Sequence, residues 1–244
     1  MNANFNSTSP TRVLIAIQAR SNSSRFPGKI YQTVGKKSVL NHVIDAAKAA
    51  KFYVERKSIQ CGIAILHPEA DFKLVDHFSL DGILLIAGDE HDVLSRFIKA
   101  KKETKADYIV RLTSDCPLLL DYMISKHINV ATINGYDYVS NVCEDFRQCA
   151  DGFDVEVVSA KAIDWLEENA RTKEHREHVT LAIREENPIE LRKAFVSSKI
   201  DTSNMKLSLD TEEDLLKIRD YYHVRENKMN LAFKTYGRKN VFEL

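Results

Sequence analysis

The chain has 244 residues, and its Lys+Arg and Asp+Glu totals are equal at 35 each. That length suits one α/β domain with a substantial core, while the balanced charge excludes an overall field for nucleic acid or an acidic membrane, so any basic patch must be local. No apolar run approaches the ~18 residues of a membrane helix, and Cys61, Cys116, Cys143 and Cys149 form neither a Cys-x-x-Cys pair nor a zinc-ribbon spacing.

Residues 1–10 are polar, rich in Asn and Ser, and read as a loose tail; nothing there resembles a signal peptide, so reduced thiols and a cytoplasmic location are expected. The apolar run 13–17 then predicts a buried strand, followed directly by Arg20-Ser21-Asn22-Ser23-Ser24-Arg25-Phe26-Pro27-Gly28-Lys29. After Ser38, the residues Val39, Leu40, Val43, Ile44 and Ala47 share one helical face. Strands are expected at 59–66, 82–87 and 108–112, alternating with helices at 69–78, 92–102 and 121–133. This β-α-β-α rhythm implies an α/β fold with a mostly parallel central sheet and helices on both faces. Strands at 136–142 and 153–158 and helices from Ser159 and from about Thr172 come next, and a strand at 206–209 leads into a capping box at Thr211-Glu212-Glu213-Asp214. A single domain over 11–226 with a C-terminal extension over 227–244 is the expected organisation.

The loop at 20–29 carries the chemistry. Arg offers forked donors and Lys a point charge, a mixture that suits phosphate oxygens, and a loop leaving the carboxyl end of a first strand lies where α/β sheets bind ligands. Most basic, Ser-rich loops are solvated turns; position is what sets this one apart. It is not a Walker A loop, because Ile30 stands where the first Gly would precede Gly35-Lys36-Lys37-Ser38. Nor is it a dinucleotide fingerprint, since no Gly occurs between Val13 and Phe26.

Gln18-Ala19-Arg20 and Ser23-Ser24-Arg25-Phe26-Pro27-Gly28-Lys29 resemble the opening signature of the cytidylyltransferases that make CMP-activated acidic sugars, in the spore coat polysaccharide branch related to the CMP-Kdo and CMP-sialate synthetases. Five further segments agree in the same order: Asp92-Val93-Leu94-Ser95-Arg96-Phe97, Val110-Arg111-Leu112-Thr113-Ser114-Asp115-Cys116-Pro117-Leu118, Asp151-Gly152-Phe153-Asp154-Val155-Glu156-Val157, Arg176-Glu177-His178-Val179, and Leu207-Ser208-Leu209-Asp210-Thr211-Glu212-Glu213-Asp214-Leu215. The resemblance spans about residues 12 to 222. It implies a Rossmann-like nucleotide-diphospho-sugar transferase fold, with an inserted dimerisation arm or flap within about 146–195 and a homodimer.

By that resemblance, CTP is the donor substrate, Mg²⁺ the cofactor and a small acidic molecule the acceptor. Ala19, Arg20, Ser23, Ser24, Arg25, Lys29, Arg111, Thr113 and Ser114 are the expected nucleotide contacts, with Arg111, Thr113 and Ser114 on the cytidine side. Arg20, Arg25, Lys29, Asp115 and Asp210 are the expected catalytic set. Asp115 and Asp210 both follow strands and can hold a hard cation with phosphate oxygens and water; read from pattern alone, they are equally well a turn residue and an N-cap neighbour. Asp154, Glu156, Arg176 and His178 are the expected acceptor contacts, the first two because alternate strand positions project to one face; an exposed polar strand face explains them equally well.

Two segments depart from the family pattern. Ile65-Leu66-His67-Pro68-Glu69-Ala70-Asp71 replaces an Ala-Thr, a polar turn and an Asp pair, and Ala150 stands where relatives carry Pro before Asp-Gly. Both bear on substrate more than on reaction. Two rival functions use the same architecture: a metal-dependent glycosyltransferase, whose usual Asp-x-Asp is replaced here by Asp115-Cys116-Pro117, and a non-catalytic nucleotide-binding subunit, which would have lost its essential charges.

Overall fold

A computed structural model describes residues 9–142, 147–198 and 200–236, with side chains to 228. The expectations for Cys143, for most of the N-terminal tail and for the end of the C-terminal extension lie outside the described residues.

The first strand, β1 (Arg12–Gln18), is apolar and buried on both faces from Val13 to Ile17, as a central parallel strand must be. Its carboxyl end enters the basic loop, which ends in a 3-10 turn at Lys29–Tyr31. Gly28 adopts φ +73° there, in the left-handed region that glycine occupies without steric cost, and its N–H closes the loop onto the Ser21 carbonyl at 2.9 Å. A small hairpin, β2 (Thr33–Val34) and β3 (Lys37–Ser38), leads into α1 (Val39–Glu55), capped by the Ser38 hydroxyl at Asn41 N.

The alternation continues with β4 (Gln60–Pro68), α2 (Phe72–Phe78), β5 (Leu84–Gly88), α3 (Val93–Thr104), β6 (Tyr108–Thr113) and α4 (Asp121–Asn134). Asp71 and Asp92 cap α2 and α3 through their carboxylates, so α2 starts three residues later than the apolar pattern indicates. After β7 (Tyr138–Ser140) and β8 (Glu156–Ser159) come α5 (Ala160–Asn169), α6 (Lys173–His178), α7 (Leu181–Glu186), β9 (Lys193–Phe195) and the long α8 (Glu212–Tyr236).

The sheet runs β5-β4-β1-β6-β8-β7-β9. Strands β5, β4, β1 and β6 are parallel; β8 alone is reversed, pairing antiparallel with both β6 and β7, and β9 is parallel to β7. The alternating side chains of β1 show how both faces are filled. Val13, Ile15 and Ile17 pack into the core beneath α1 and α4, while Leu14 and Ala16 join the core beneath α3, α5 and α7. Residues 156–195, part of the region in which an arm is expected, thus supply two strands to the sheet and helices to its second core.

A third cluster lies under α8, where Leu207, Leu209, Leu215 and Ile218 meet Val34, Val39, Leu118 and Ala150. The expected strand at 206–209 is a single bridge between Asp151 and Lys206. Gly152 makes that approach possible: at φ +105°, a Cβ there would lie 2.5 Å from the Leu207 carbonyl carbon. Among the described residues, no helix is long and apolar enough to cross a membrane.

Candidate active site

The carboxyl ends of β1 and β6 converge with the segment before α8. Leu209 N–H donates to the Asp115 carbonyl at 2.9 Å, and Asp214, in the capping box of α8, accepts the N–H groups of Asp210 and Thr211, each at 3.0 Å. Two aspartates 95 residues apart in sequence are thereby fixed side by side. Lys29 lies between them. Its Nζ donates to Asp115 Oδ2 at 2.6 Å, to Asp210 Oδ1 at 3.1 Å and to the Leu209 carbonyl at 2.7 Å. Arg25 reaches the same Asp210 oxygen at 2.9 Å from an exposed position, and Lys206 approaches the other at 3.3 Å. Burial alone would raise the Asp210 carboxyl, but the nearby Lys29 and Arg25 cations hold it below its ordinary value.

These groups open onto a cavity of about 260 Å³, walled also by Gln18, Ala19, Arg20, Ser23, Ser24, Thr113, Ser114 and His178. The basic loop is braced from behind by Asp71. One of its oxygens accepts Ser21 N–H at 2.6 Å, and the other accepts the Ser21 hydroxyl at 2.6 Å and caps α2 at Leu74 N. The sequence departure at 65–71 therefore retains a carboxylate that holds the loop.

Of the expected residues, Ala19, Arg20, Ser23, Ser24, Arg25, Lys29, Thr113, Ser114, Asp115, His178 and Asp210 come together around this cavity. Arg111, Asp154, Glu156 and Arg176 do not line it. Glu156 is only 2% exposed and accepts from Arg111 Nη1 at 2.5 Å, Tyr138 Oη at 2.5 Å and Thr180 Oγ1 at 2.6 Å. Burial would raise its carboxyl, yet Arg111 and Arg184 with these hydroxyls hold it below the usual range. Arg111 and Glu156, expected at the cytidine and at the acceptor, thus pair with each other outside the cavity wall. The expected shared face fails too, since β8 begins only at Glu156. Asp154 precedes it and receives Arg147 Nη2 at 2.6 Å, although burial still pushes its carboxyl up to about 6. Arg176 forms a bidentate pair with Asp92, at 2.9 and 2.5 Å, which docks α6 on the start of α3.

Glu156 nonetheless acts on the cavity at one remove. The Thr180 it holds follows Val179, whose φ of +57° is unusual for a β-branched residue and belongs to a tight turn closed by Thr180 N–H on the His178 carbonyl at 2.6 Å. That strained turn positions His178 in the wall.

Three charged wall residues escaped the sequence reading as site residues: Glu90, Glu177 and, above all, Arg96. Arg96 is 3% exposed, has no carboxylate within salt-bridge distance among the described residues, and donates Nη1 to the Leu66 carbonyl at 3.1 Å. Burial and the nearby Arg20 lower its pKa to about 10, so it stays charged at neutral pH. Its place in the Asp92–Phe97 motif was the available signal; helical periodicity assigned the motif to packing.

Among the described residues no cluster of three or more His, Cys, Asp and Glu side chains could form a protein cage. Two carboxylates sharing one ammonium do fit the mode in which Mg²⁺ takes one or two carboxylates and completes its shell with phosphate oxygens and water.

Fold and site together define an α/β protein whose sheet edge presents cations and paired carboxylates to a polyanion-sized cavity. The family is shown by comparison: residues 14–240 match the cytidylyltransferase family, to which this chain belongs. It is 32% identical over 217 residues, 86% of each chain, to the spore coat polysaccharide biosynthesis protein SpsF of Bacillus subtilis. A cytidylyltransferase structure from Leptospira borgpetersenii superimposes with a TM-score of 0.76 at 26% identity, covering 86% of this chain and 85% of that one. The fold is shared with a CMP:2-keto-3-deoxy-manno-octonic acid synthetase complexed with CTP, at a TM-score of 0.62 and 12% identity over 88% of this chain and all of that one.

Proposed function

We propose that this cytidylyltransferase transfers CMP from CTP to a small acidic acceptor, an acidic sugar or a phosphorylated metabolite, with release of pyrophosphate, in the synthesis of a bacterial surface polysaccharide or glycoconjugate. The observation that carries the reading is Lys29 seated between Asp115 and Asp210 beside the Arg20–Arg25 loop. An acceptor oxygen attacks the α-phosphorus in line as the bond to the β-phosphate oxygen breaks; a hydroxyl acceptor's proton passes to solvent. Negative charge grows on the leaving pyrophosphate, so positioned cations supply most of the catalysis. Arg20, Arg25 and Lys29 hold the triphosphate, with Ala19, Ser23 and Ser24 contributing loop contacts and Thr113 and Ser114 bordering the nucleoside. Asp115 and Asp210 would hold Mg²⁺, which supplies Lewis-acid neutralisation of phosphate charge.

The acceptor enters from the His178 side, beside Arg176, with Asp154 as a further acceptor contact outside the nucleotide cavity. A homodimer goes with this reading, and β9, an outer strand of the sheet whose Phe195 is half-exposed, is a candidate contact. The decisive experiment incubates the protein with CTP, Mg²⁺ and a panel of acidic sugars and phosphorylated metabolites, and follows pyrophosphate and the mass of a CMP-linked product. CMP-linked product supports the reading. Transfer of a sugar from a nucleotide sugar would establish the rival glycosyltransferase, and nucleotide binding without turnover on any acceptor would favour the non-catalytic subunit.

A further inference from the structure

The basic loop is closed at its neck by residues that do not line the cavity. Ser21, its second residue, is 8% exposed, and neither it nor Tyr31 nor Asp71 belongs to the wall. All three also lie outside the segments that carry the family resemblance. Gly28 N–H reaches back to the Ser21 carbonyl at 2.9 Å, and the hydroxyl of Tyr31, the last residue of the 3-10 turn, meets Ser21 Oγ at 2.5 Å. Between these ties Asn22, Ser24, Arg25 and Pro27 are exposed, while Phe26 packs on the cluster under α8. Burial therefore orders little of the span that carries Arg25.

Hydrogen accounting fixes the direction of the side-chain relay at this neck. A carboxylate only accepts, so Asp71 Oδ1 takes the single hydroxyl hydrogen of Ser21 at 2.6 Å, which leaves the Ser21 oxygen to accept from Tyr31. Oδ2 accepts Ser21 N–H at 2.6 Å, and Oδ1 also accepts Leu74 N–H at 3.2 Å, the cap of α2. Each carboxylate oxygen thus faces a backbone N–H. The isosteric Asn cannot reproduce this, because in either orientation its amide nitrogen sets a donor against a donor. Tyr31 is held by α2 itself: its ring stacks on Phe78 at 5.8 Å between centroids, meets His77 edge-on at 5.0 Å and lies beneath Lys73 Nζ at 4.5 Å. One short helix and its cap residue therefore grip both ends of the loop.

We propose that Asp71 and Tyr31 are positioning residues that hold the basic loop in its binding shape before any ligand arrives. This rests on the reading of the cavity as a nucleotide site. A loop tied at its neck has less freedom to lose when Arg20, Arg25 and Lys29 close on a polyphosphate. The tie is therefore felt as affinity for the phosphate chain and is indifferent to the base. Because Asp71 also caps α2, loosening the loop and fraying the start of that helix are one event.

The test measures binding of CTP, UTP and pyrophosphate, each with Mg²⁺, to the full chain by calorimetry, together with amide hydrogen exchange of the free and the ligand-saturated protein. Tyr31→Phe removes one hydroxyl and keeps the ring on Phe78; it should weaken all three ligands about threefold with little change in Tm. Asp71→Asn should weaken all three about tenfold, because a backbone N–H is left without its acceptor. In both variants exchange should quicken at residues 20–31 of the free protein and return to the wild-type level under saturating nucleotide, which a merely structural defect would not do. Should Asp71→Asn fail to fold, Tyr31→Phe carries the test alone. Wild-type affinity for all three ligands in the folded variants would overturn the proposal, as would a loss confined to CTP, unchanged exchange at 20–31, or quickened exchange spread over the whole chain. A wild-type chain that binds none of the three would refute the nucleotide reading, and this proposal with it, before any variant is made.

Discussion

Replacing Lys29 by Ala probes the centre of the site with a magnitude that follows from its contacts. Lys29, Asp115 and Asp210 have side-chain exposures of 12, 23 and 16%, and one ammonium serves both carboxylates and the Leu209 carbonyl. Deleting one partner of a buried ion pair typically costs about 3–5 kcal/mol. Partial exposure of both aspartates lets water screen part of that, which brings the expected loss to roughly 2–3 kcal/mol. For a chain of this size that is on the order of 4–12 °C in Tm. The sign of the residual field adds a second signature: two carboxylates without their cation form a better site for a divalent ion. Millimolar Mg²⁺ should therefore raise the Tm of Lys29→Ala more than that of wild type, in scanning fluorimetry at neutral pH. CMP transfer should nevertheless fall about a hundredfold, since Mg²⁺ replaces the charge but not the donor to the leaving phosphate. A variant as stable as wild type without Mg²⁺, with no larger response to the ion, would refute the idea that these carboxylates depend on Lys29.

Asp210→Asn should lower transfer by roughly a hundredfold while circular dichroism and the urea midpoint stay close to wild type, because Asn still accepts from Lys29; near-normal turnover would count against a metal role. Glu156→Gln should cost about 3 kcal/mol in urea unfolding by leaving Arg111 buried without its counter-charge, and a loss under 1 kcal/mol would show that the enclosure is not structural. Asp154 gives a pH signature: its carboxyl is held at about 6 when folded, above the ordinary value of 3.8, so the native state binds more protons between those values. Stability contributed by the protonated form is present below pH 4 and is lost as the pH rises through 6, by up to about 3 kcal/mol. Urea stabilities of wild type and Asp154→Asn should diverge across that window in favour of the variant, and a difference independent of pH would exclude the shift.

The parallel half of the fold was legible because buried strands such as β1 and β4 are continuous apolar runs and the helices between them repeat with a clear period. The second half was less so. Strand β9 has three residues, is only partly buried and pairs on one side, so its pattern is too short to separate from loop. At 206–209 the apolar alternation is real, but it serves the cluster under α8 instead of a sheet. Motif order gathered the basic loop and the two aspartates into one neighbourhood, where the structure has them. It could not show which charged motif residues reach the cavity wall: Arg111 and Glu156 look the same in sequence as Arg25 and Asp210, and only their register across β6 and β8 keeps the former pair out of it.

On the proposed function, the charge inventory of the cavity predicts that nucleotide and cation bind as a unit. Its wall carries Arg20, Arg25, Lys29 and Arg96 against Glu90, Asp115, Glu177 and Asp210, so the cations are formally balanced, as they are over the whole chain. A free triphosphate entering this wall meets attraction at the basic loop and repulsion at the paired aspartates. A free Mg²⁺ meets the reverse, with Lys29 already between the carboxylates. Together the two ligands would cancel each other's unfavourable contacts, with Asp115 and Asp210 taking the cation while Lys29 and the arginines take the phosphates. By linkage, each must raise the other's affinity by the same factor. Because the opposing charges lie within a few ångströms in a partly desolvated cavity, that coupling should persist at salt concentrations that screen longer-range surface attraction.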